Sequence, residues 1–476
     1  MSTVLFTLSR RLHLALSPIA SHGRQIQPRN SRTRLLWIPI ALLALGGIWG
    51  ATRFRSHAQP DTLRPSLQPL PQDPYIHAYF NHSQANVYTD PYRNVQKYGD
   101  DLERLIVSSI DQAETSVDVA VQALDLPLIA QALIRSAQRG VKVRFILENQ
   151  YAGESMPSEA DDSSQPPLPN RALALLRESA IPILDDTADG SKGSGLMHHK
   201  FVVIDGRWVL TGSTNFTHSG IHGDLDNPTS GGNANALLKI DDRAIASSFL
   251  TEFDQMWGDG PGGRTDSKFG LQKQISTTQH IQTSTGALTL QFSPLSTTKP
   301  WQNSTNGLIA RTLSQSKTRI DLALFVFSDQ GIANQMQIQA ASGTEVRTLI
   351  DPRFLYRSYS EALDMLGLEL PDNRCRIEAD NQPWQSPITA VGSPQLLPGD
   401  KLHHKFAIID GTTIIIGSHN WSKAANTQND EALLVIKNPI VAAHFSREFE
   451  RLYDSAKTGM TAQLQRKMKE AKQRCS

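Results

Sequence analysis

Residues 198–217 read HHKFVVIDGRWVLTGSTNFT, and residues 403–422 read HHKFAIIDGTTIIIGSHNWS. Ten of the twenty positions are identical at an offset of 205. The similarity reaches upstream. Ser116-Val117-Asp118-Val119-Ala120-Val121 matches Arg319-Ile320-Asp321-Leu322-Ala323-Leu324 at offset 203, and Gly140-Val141-Lys142-Val143-Arg144 matches Gly343-Thr344-Glu345-Val346-Arg347. A period this long means two copies of one folding unit. Each copy reads helix, apolar strand, helix, strand, and then the quoted block as two short strands broken at Gly206 or Gly411. The pattern predicts an α/β fold with right-handed crossovers and a largely parallel sheet in each copy.

The spacing inside the block is His-x-Lys, four residues, Asp, six residues, Gly-Ser-x-Asn. Its members are His198, Lys200, Asp205, Ser213 and Asn215, then His403, Lys405, Asp410, Ser418 and Asn420. Residues two apart on a strand share a face, so each His sits beside a fixed positive charge. Lys, Ser and Asn together describe an anion cradle suited to phosphate. Two imidazoles converging on one phosphorus would divide the work: one attacks, the other protonates the leaving oxygen and later activates water. A metal centre fits less well. Adjacent histidines such as His198-His199 point to opposite faces, so each pair offers one ligand. No metal and no cofactor are expected. His199 and His404 read as structural residues. Asp205 and Asp410 are either turn-forming aspartates or carboxylates that orient an imidazole. Phe216 and Trp421 either stack a nucleic-acid base or belong to the core.

These residues resemble the paired His-Lys-Asp motif of the phospholipase D superfamily, in the wording of its nuclease-like and mitochondrial phospholipase D-like branch. The resemblance implies two tandem α/β/α lobes with one shared active site and a metal-independent mechanism through a phosphohistidine. It implies catalytic roles for His198, Lys200, Asp205, His403, Lys405 and Asp410, with His198 as nucleophile. Ser213, Asn215, Ser418, Asn420 and Glu431 would bind phosphate or support the site. Many members pair the motif His with a Glu after the Asn. Glu431 fits that place in the second copy, whereas the first copy has Asn235, so His198 is expected to lack the carboxylate, with Asp224 or Asp226 as substitutes. The expected activity is phospholipid phosphodiester hydrolysis. A metal-independent endonuclease, a cardiolipin synthase-like phosphatidyl transferase and a catalytically silent binding protein are the alternatives.

The rest of the chain frames this body. Of the 476 residues, 47 are Lys or Arg and 46 Asp or Glu. Residues 1–60 hold eight arginines and no acid, which leaves 39 basic and 46 acidic residues in the remainder. That acidic excess argues against sequence-independent nucleic-acid binding. Residues 35–51 carry no charge and span about 26 Å as a helix, near the thickness of a bilayer core. They read as a transmembrane anchor behind a basic segment 1–34, with the body on the non-cytoplasmic side. A signal cleaved near Ser56-x-Ala58, giving a secreted or periplasmic protein, and a transit peptide are the other readings. Residues 52–74 read as an extended tether. The lobes are assigned to 75–258 and 288–456, with a linker at 259–287 and a basic, solvent-facing helical tail at 457–476. Two cysteines, Cys375 and Cys475, are too few for a disulfide framework.

Overall fold

The computed structural model describes residues 63–152, 168–190 and 195–476. The basic segment, the apolar run and the first part of the tether lie outside the described residues. Among the described residues no helix is long and apolar enough to cross a membrane.

Two mixed sheets organise one compact unit, Thr62–Ser476. The first contains β1 (Ile76–Phe80), β2 (Ser116–Val121), β3 (Lys142–Leu147), β4 (Ile183–Asp185), β5 (Lys200–Ile204), β6 (Trp208–Gly212) and β7 (Ala236–Asp241), in the order β1-β7-β6-β5-β2-β3-β4. The second contains β8 (Gln279–Thr283), β9 (Gly286–Ser293), β10 (Arg319–Leu324), β11 (Glu345–Ile350), β12 (Val391–Ser393), β13 (Lys405–Ile409), β14 (Thr413–Gly417), β15 (Glu431–Lys437) and β16 (Lys457–Thr458). Its order is β8-β9-β15-β14-β13-β10-β11-β12-β16.

The expectation of largely parallel sheets is corrected. Only β2-β3-β4 and β10-β11-β12 run parallel. The motif strands β5-β6 and β13-β14 are antiparallel hairpins, and each pairs antiparallel with the parallel part. The helical crossovers govern only the first half of each repeat; a three-residue connection, Asp205-Gly206-Arg207 or Asp410-Gly411-Thr412, can join only antiparallel neighbours.

Helices cover both faces of each sheet. α1 (Leu102–Asp111) and α2 (Pro127–Gln138) pack on the outer face of the first, and α4 (Thr305–Leu313) and α5 (Gln330–Ala341) on the outer face of the second. The long helices α3 (Arg243–Trp257) and α7 (Pro439–Tyr453) lie in a core shared by both lobes, where Phe80 of β1 meets Phe445 of α7 at 5.0 Å and Phe249 of α3 meets Phe292 of β9 at 5.2 Å. Their starts are fixed by Asp242, which accepts from Ala244 and Ile245 N–H, and by Asn438, which accepts from Ile440 and Val441 N–H. Apolar cover on both faces explains why FVVI and FAII are buried at every position. The upstream match is a repeated ion pair: Asp118 with Arg144 (2.5 Å) and Asp321 with Arg347 (2.6 Å), each guanidinium lying over a phenylalanine of α3 or α7.

Both flanks of the body are docked. Arg447 donates to Gln68 O and His444 bonds Pro71 O, while Asp73 accepts from Asn438 Nδ2 at 2.8 Å. The end of the expected extended tether is thus fastened to α7. At the other terminus, the expected solvated tail is the helix α8 (Ala462–Cys475), with Leu464 and Ala471 buried in the lobe 2 core. A disulfide joins Cys475 to Cys375. The sequence reading missed it because one pair of cysteines 100 residues apart has no local signature. Reduction, or Cys375→Ser, is expected to lower the stability of lobe 2 by about 2–4 kcal/mol. The check is a calorimetric melt with and without dithiothreitol.

Candidate active site

Each motif His ends the approach to a central strand, and two short cross-lobe bridges bring the two ends together. Met197 pairs in parallel with Asp430, and Ala234 with Leu402. His198 N–H donates to Asp430 O, and His403 N–H to Ala234 O, both at 3.0 Å. The residue after each bridge then meets the imidazole of the opposite lobe. His198 Nδ1 lies 2.7 Å from Glu431 Oε2, and His403 Nδ1 lies 2.9 Å from Asn235 Oδ1.

This corrects the expectation that Glu431 serves its own copy and that His198 lacks a carboxylate. The partners are exchanged between lobes because the contact is made across the pseudo-twofold interface, not along the repeat. The loop carrying Asp224 and Asp226 serves another purpose: it reaches lobe 2 through Asn227 to Pro398 O and Ser230 to Asp400.

The bonds set the tautomers. Asn235 Nδ2 donates to Gly220 O at 2.8 Å, so its oxygen faces His403 and accepts from Nδ1–H. Glu431 accepts from His198 Nδ1–H in the same way. In both rings the lone pair of the neutral imidazole is therefore on Nε2.

The Gly-Ser step supports these partners. A Cβ at Gly212 would lie 2.3 Å from Ala236 O, and one at Gly417 2.0 Å from Ala432 O, so only glycine allows the strands to approach. Ser213 Oγ donates to Asn235 Oδ1 and accepts from Ala236 N–H; Ser418 Oγ accepts from Ala432 N–H and bonds Glu431. Both hydroxyls are committed to the cross-lobe partners, which makes them supports and not phosphate ligands. Asn215 and Asn420 follow the same strands, and their amide oxygens are buried without a partner among the described residues.

Lys200 Nζ donates to His198 O (2.7 Å) and Gln122 Oε1 (3.1 Å). Lys405 Nζ donates to His403 O (2.7 Å) and lies 5.2 Å from the centre of the Phe325 ring, which also packs on His403. Both lysines are 1% exposed. Burial pulls Lys200 down to about 7. Burial, and then the charge of Lys200, pulls Lys405 well below its ordinary range. Burial and the two ammonium groups likewise hold both imidazoles well below 6.5. A phosphate anion between the lysines would reverse these shifts, because it stabilises every cation around it. The arrangement is one that suits an anion.

Asp205 and Asp410 are not in it. Each sits at the far end of its strand, roughly 20 Å along the chain from the His at about 3.3 Å per residue. Each has a left-handed backbone, φ 55° and 49°. Asp205 accepts from the N–H groups of Glu114, Thr115 and Ser116, and Asp410 from those of Lys317, Thr318 and Arg319. Burial opposes ionisation, but these N–H groups outweigh it and hold both carboxyls low. They brace the turn before β2 or β10. Asp205→Ala is expected to cost about 1–3 kcal/mol of stability while the folded fraction keeps its kcat, read from a urea melt and a rate per active site.

His199 and His404 point to the other face and bond Glu252 and Glu448 at 3.0 and 2.9 Å. Phe216 and Trp421 are fully buried, so they are core residues and cannot stack a base. Sequence reading missed Glu148 and Asp351, which accept from Met197 N–H and Leu402 N–H just before each catalytic strand. The repeat held the signal: they align at offset 203. It also missed Lys273. Its Nζ bridges Glu252 and Asp430, the latter at 2.7 Å, and ties the linker to the residue beside Glu431. No repeat partner marks it.

The profile of a family described as cardiolipin synthase, PLD-like domain, matches residues 106–257 and 309–453. The mitochondrial cardiolipin hydrolase of Xenopus tropicalis is 32% identical over 146 residues, 31% of this chain and 56% of that protein. A phospholipase D of Rickettsia prowazekii (strain Madrid E) is 30% identical over 147 residues, 31% of this chain and 58% of that protein. The chain thus spans little more than half the length of these relatives. Among solved structures, the phosphatidylserine synthase of Haemophilus influenzae Rd KW20 is similar in fold. Its TM-score is 0.50 at 12% identity, with 75% of this chain and 85% of that chain covered.

Proposed function

We propose, because this chain belongs to the phospholipase D superfamily, that it is a phosphodiesterase acting on phospholipids through a covalent phosphohistidine. The observation that carries the reading is the crossed pair, His198 with Glu431 and His403 with Asn235, each imidazole beside a buried lysine.

His198 is the nucleophile. Its Nε2 lone pair attacks phosphorus, and the bond from phosphorus to the leaving oxygen breaks. The imidazole becomes positive as it is phosphorylated, and Glu431 neutralises that charge. His403 is the general acid. No carboxylate holds its proton, so its imidazolium is the stronger donor to the leaving oxygen. In the second step neutral His403 takes a proton from water, the oxygen attacks phosphorus, and His198 is released. Lys200, Lys405, Asn215 and Asn420 take the charge that builds on the non-bridging oxygens.

A lipid substrate is favoured over nucleic acid by the acidic body and by the burial of Phe216 and Trp421. The names of the relatives make cardiolipin the first lipid to test. Residues 35–51 as an anchor or signal, with the body outside the cytoplasm, accord with the disulfide. The test presents the full chain in detergent with cardiolipin, phosphatidylcholine and single-stranded DNA in parallel. Release of phosphatidic acid or free head group without DNA cleavage supports the reading. DNA cleavage without lipid turnover selects the endonuclease.

A further inference from the structure

Lobe 2 has a second cleft, of about 420 Å³, that the proposed reaction does not use. Its wall contains Trp301, Asp329 and Glu361, and the exposed Glu378, Asp380, Lys299 and Lys423 stand at its rim. Asp329 is anchored: it caps α5 and accepts from Asn306 Nδ2 at 2.6 Å and Trp301 Nε1 at 3.4 Å. Glu361 is different. It opens the short helix α6 (Glu361–Met365), is 6% exposed, lines the cleft, and has no hydrogen-bond or ion-pair partner among the described residues. The residue is nearly buried while its carboxyl oxygens open into the cleft, so they meet whatever fills it.

Lobe 1 has no acid in the place of Asp329. The helix cap that matches Asp329 in lobe 1 is Leu126, which is fully buried. The cleft is also shaped poorly for a bare metal ion. Among the described residues no three His, Cys, Asp or Glu side chains converge closely enough to ligate one. A carboxyl-lined cavity with an indole wall suits a larger, softer cation, held by charge and by the aromatic face.

We propose that this cleft binds a small organic ammonium ion. The amine of a lipid head group and a free polyamine share that chemistry. The head-group source has a geometric basis. Lys423 follows Asn420 by three residues, and Asp329 follows Phe325, which packs on His403, by four. Three extended residues span at most about 10 Å. The amine would enter the acidic wall and a phosphate would meet the rim lysines.

Binding is coupled to a proton. Burial, and then Asp364, Asp329, Glu378 and Asp380, push Glu361 up to about 9. The cations facing it are Lys423 and Lys299 at the rim. Below pH 9 the carboxyl carries a proton that an arriving cation displaces. Affinity therefore rises with pH, by up to about tenfold per unit, and levels off above about 9.

The test is isothermal titration calorimetry on the full chain with choline, phosphocholine, spermidine, magnesium chloride and calcium chloride at pH 6.5, 7.5 and 8.5. One-to-one binding of an ammonium compound, tightening with pH and weakened at least tenfold in Glu361→Gln, establishes the site. Asp380→Asn repeats the measurement should Glu361→Gln fail to fold. Phosphocholine binding more tightly than choline, with the difference lost in Lys423→Gln, assigns the cation to a head group; equal affinities, or tighter spermidine, assign it to a free amine. Absence of ammonium binding at every pH, binding of the metal ions alone, or affinities that neither variant changes overturns the proposal. None of these readouts needs turnover, so they stand apart from the proposed activity.

Discussion

Replacing His198 with alanine is expected to abolish turnover, a fall of at least about 10⁴ in kcat, because it removes the attacking lone pair. Replacing His403 is expected to do something different. With a natural lipid the rate falls by about 10²–10⁴, the contribution of a positioned acid. With a substrate whose leaving group needs no proton, such as bis(p-nitrophenyl) phosphate, the first step survives and the second does not. His403→Ala should then release about one nitrophenolate per active site in a burst and stop, with a p-nitrophenyl phosphoryl group on His198. Mass spectrometry under conditions that preserve phosphohistidine checks this. Phosphate found on His403 in a His198→Ala protein would exchange the two roles. Phosphate on Ser213 or Ser418 would end the mechanism altogether, and their hydroxyls are already committed to Asn235, Ala236 and Ala432.

The second large effect concerns the unequal partners. Burial, Lys405 and Lys200 hold His403 below 6.5, and Asn235 offers no charge to compensate. His403 must be protonated to act as the acid. A lowered pKa means that kcat/KM begins to fall as pH rises through a value below 6.5, so the optimum lies on the acid side. Asn235→Asp places a carboxylate on Nδ1–H, raises that pKa, and should move the falling limb up by about one to two pH units. Glu431→Gln leaves His198 without its counter-charge. It should lower kcat by about 10²–10⁴ with little change in KM, because Glu431 touches the imidazole and not the substrate. A falling limb that stays in place in Asn235→Asp would show that another group controls it.

Much of this protein is legible in its sequence because repetition turns a weak local pattern into a strong one. His198 with Lys200 and His403 with Lys405 share faces by strand alternation alone, and the apolar strands beside them follow from composition. The same reasoning placed Asp205 and Asp410 in doubt between turn and site, since spacing says nothing of which end of a strand a side chain serves. It could not reveal that β5-β6 and β13-β14 make the sheets mixed. It could not find Lys273 or the Cys375–Cys475 bond either, because neither has a counterpart in the other copy.

The deepest difference lies in the partners of the imidazoles. The chain by itself determined two copies of one unit, two histidines, two lysines, and an Asn where the other copy has a Glu. Only the tertiary structure decided that the Glu of lobe 2 serves the His of lobe 1 and the Asn of lobe 1 serves the His of lobe 2. The physical reason is that backbone bridges at Met197–Asp430 and Ala234–Leu402 form between lobes. A contact across a pseudo-twofold interface joins residues more than 160 positions apart, and no periodicity within either copy encodes it.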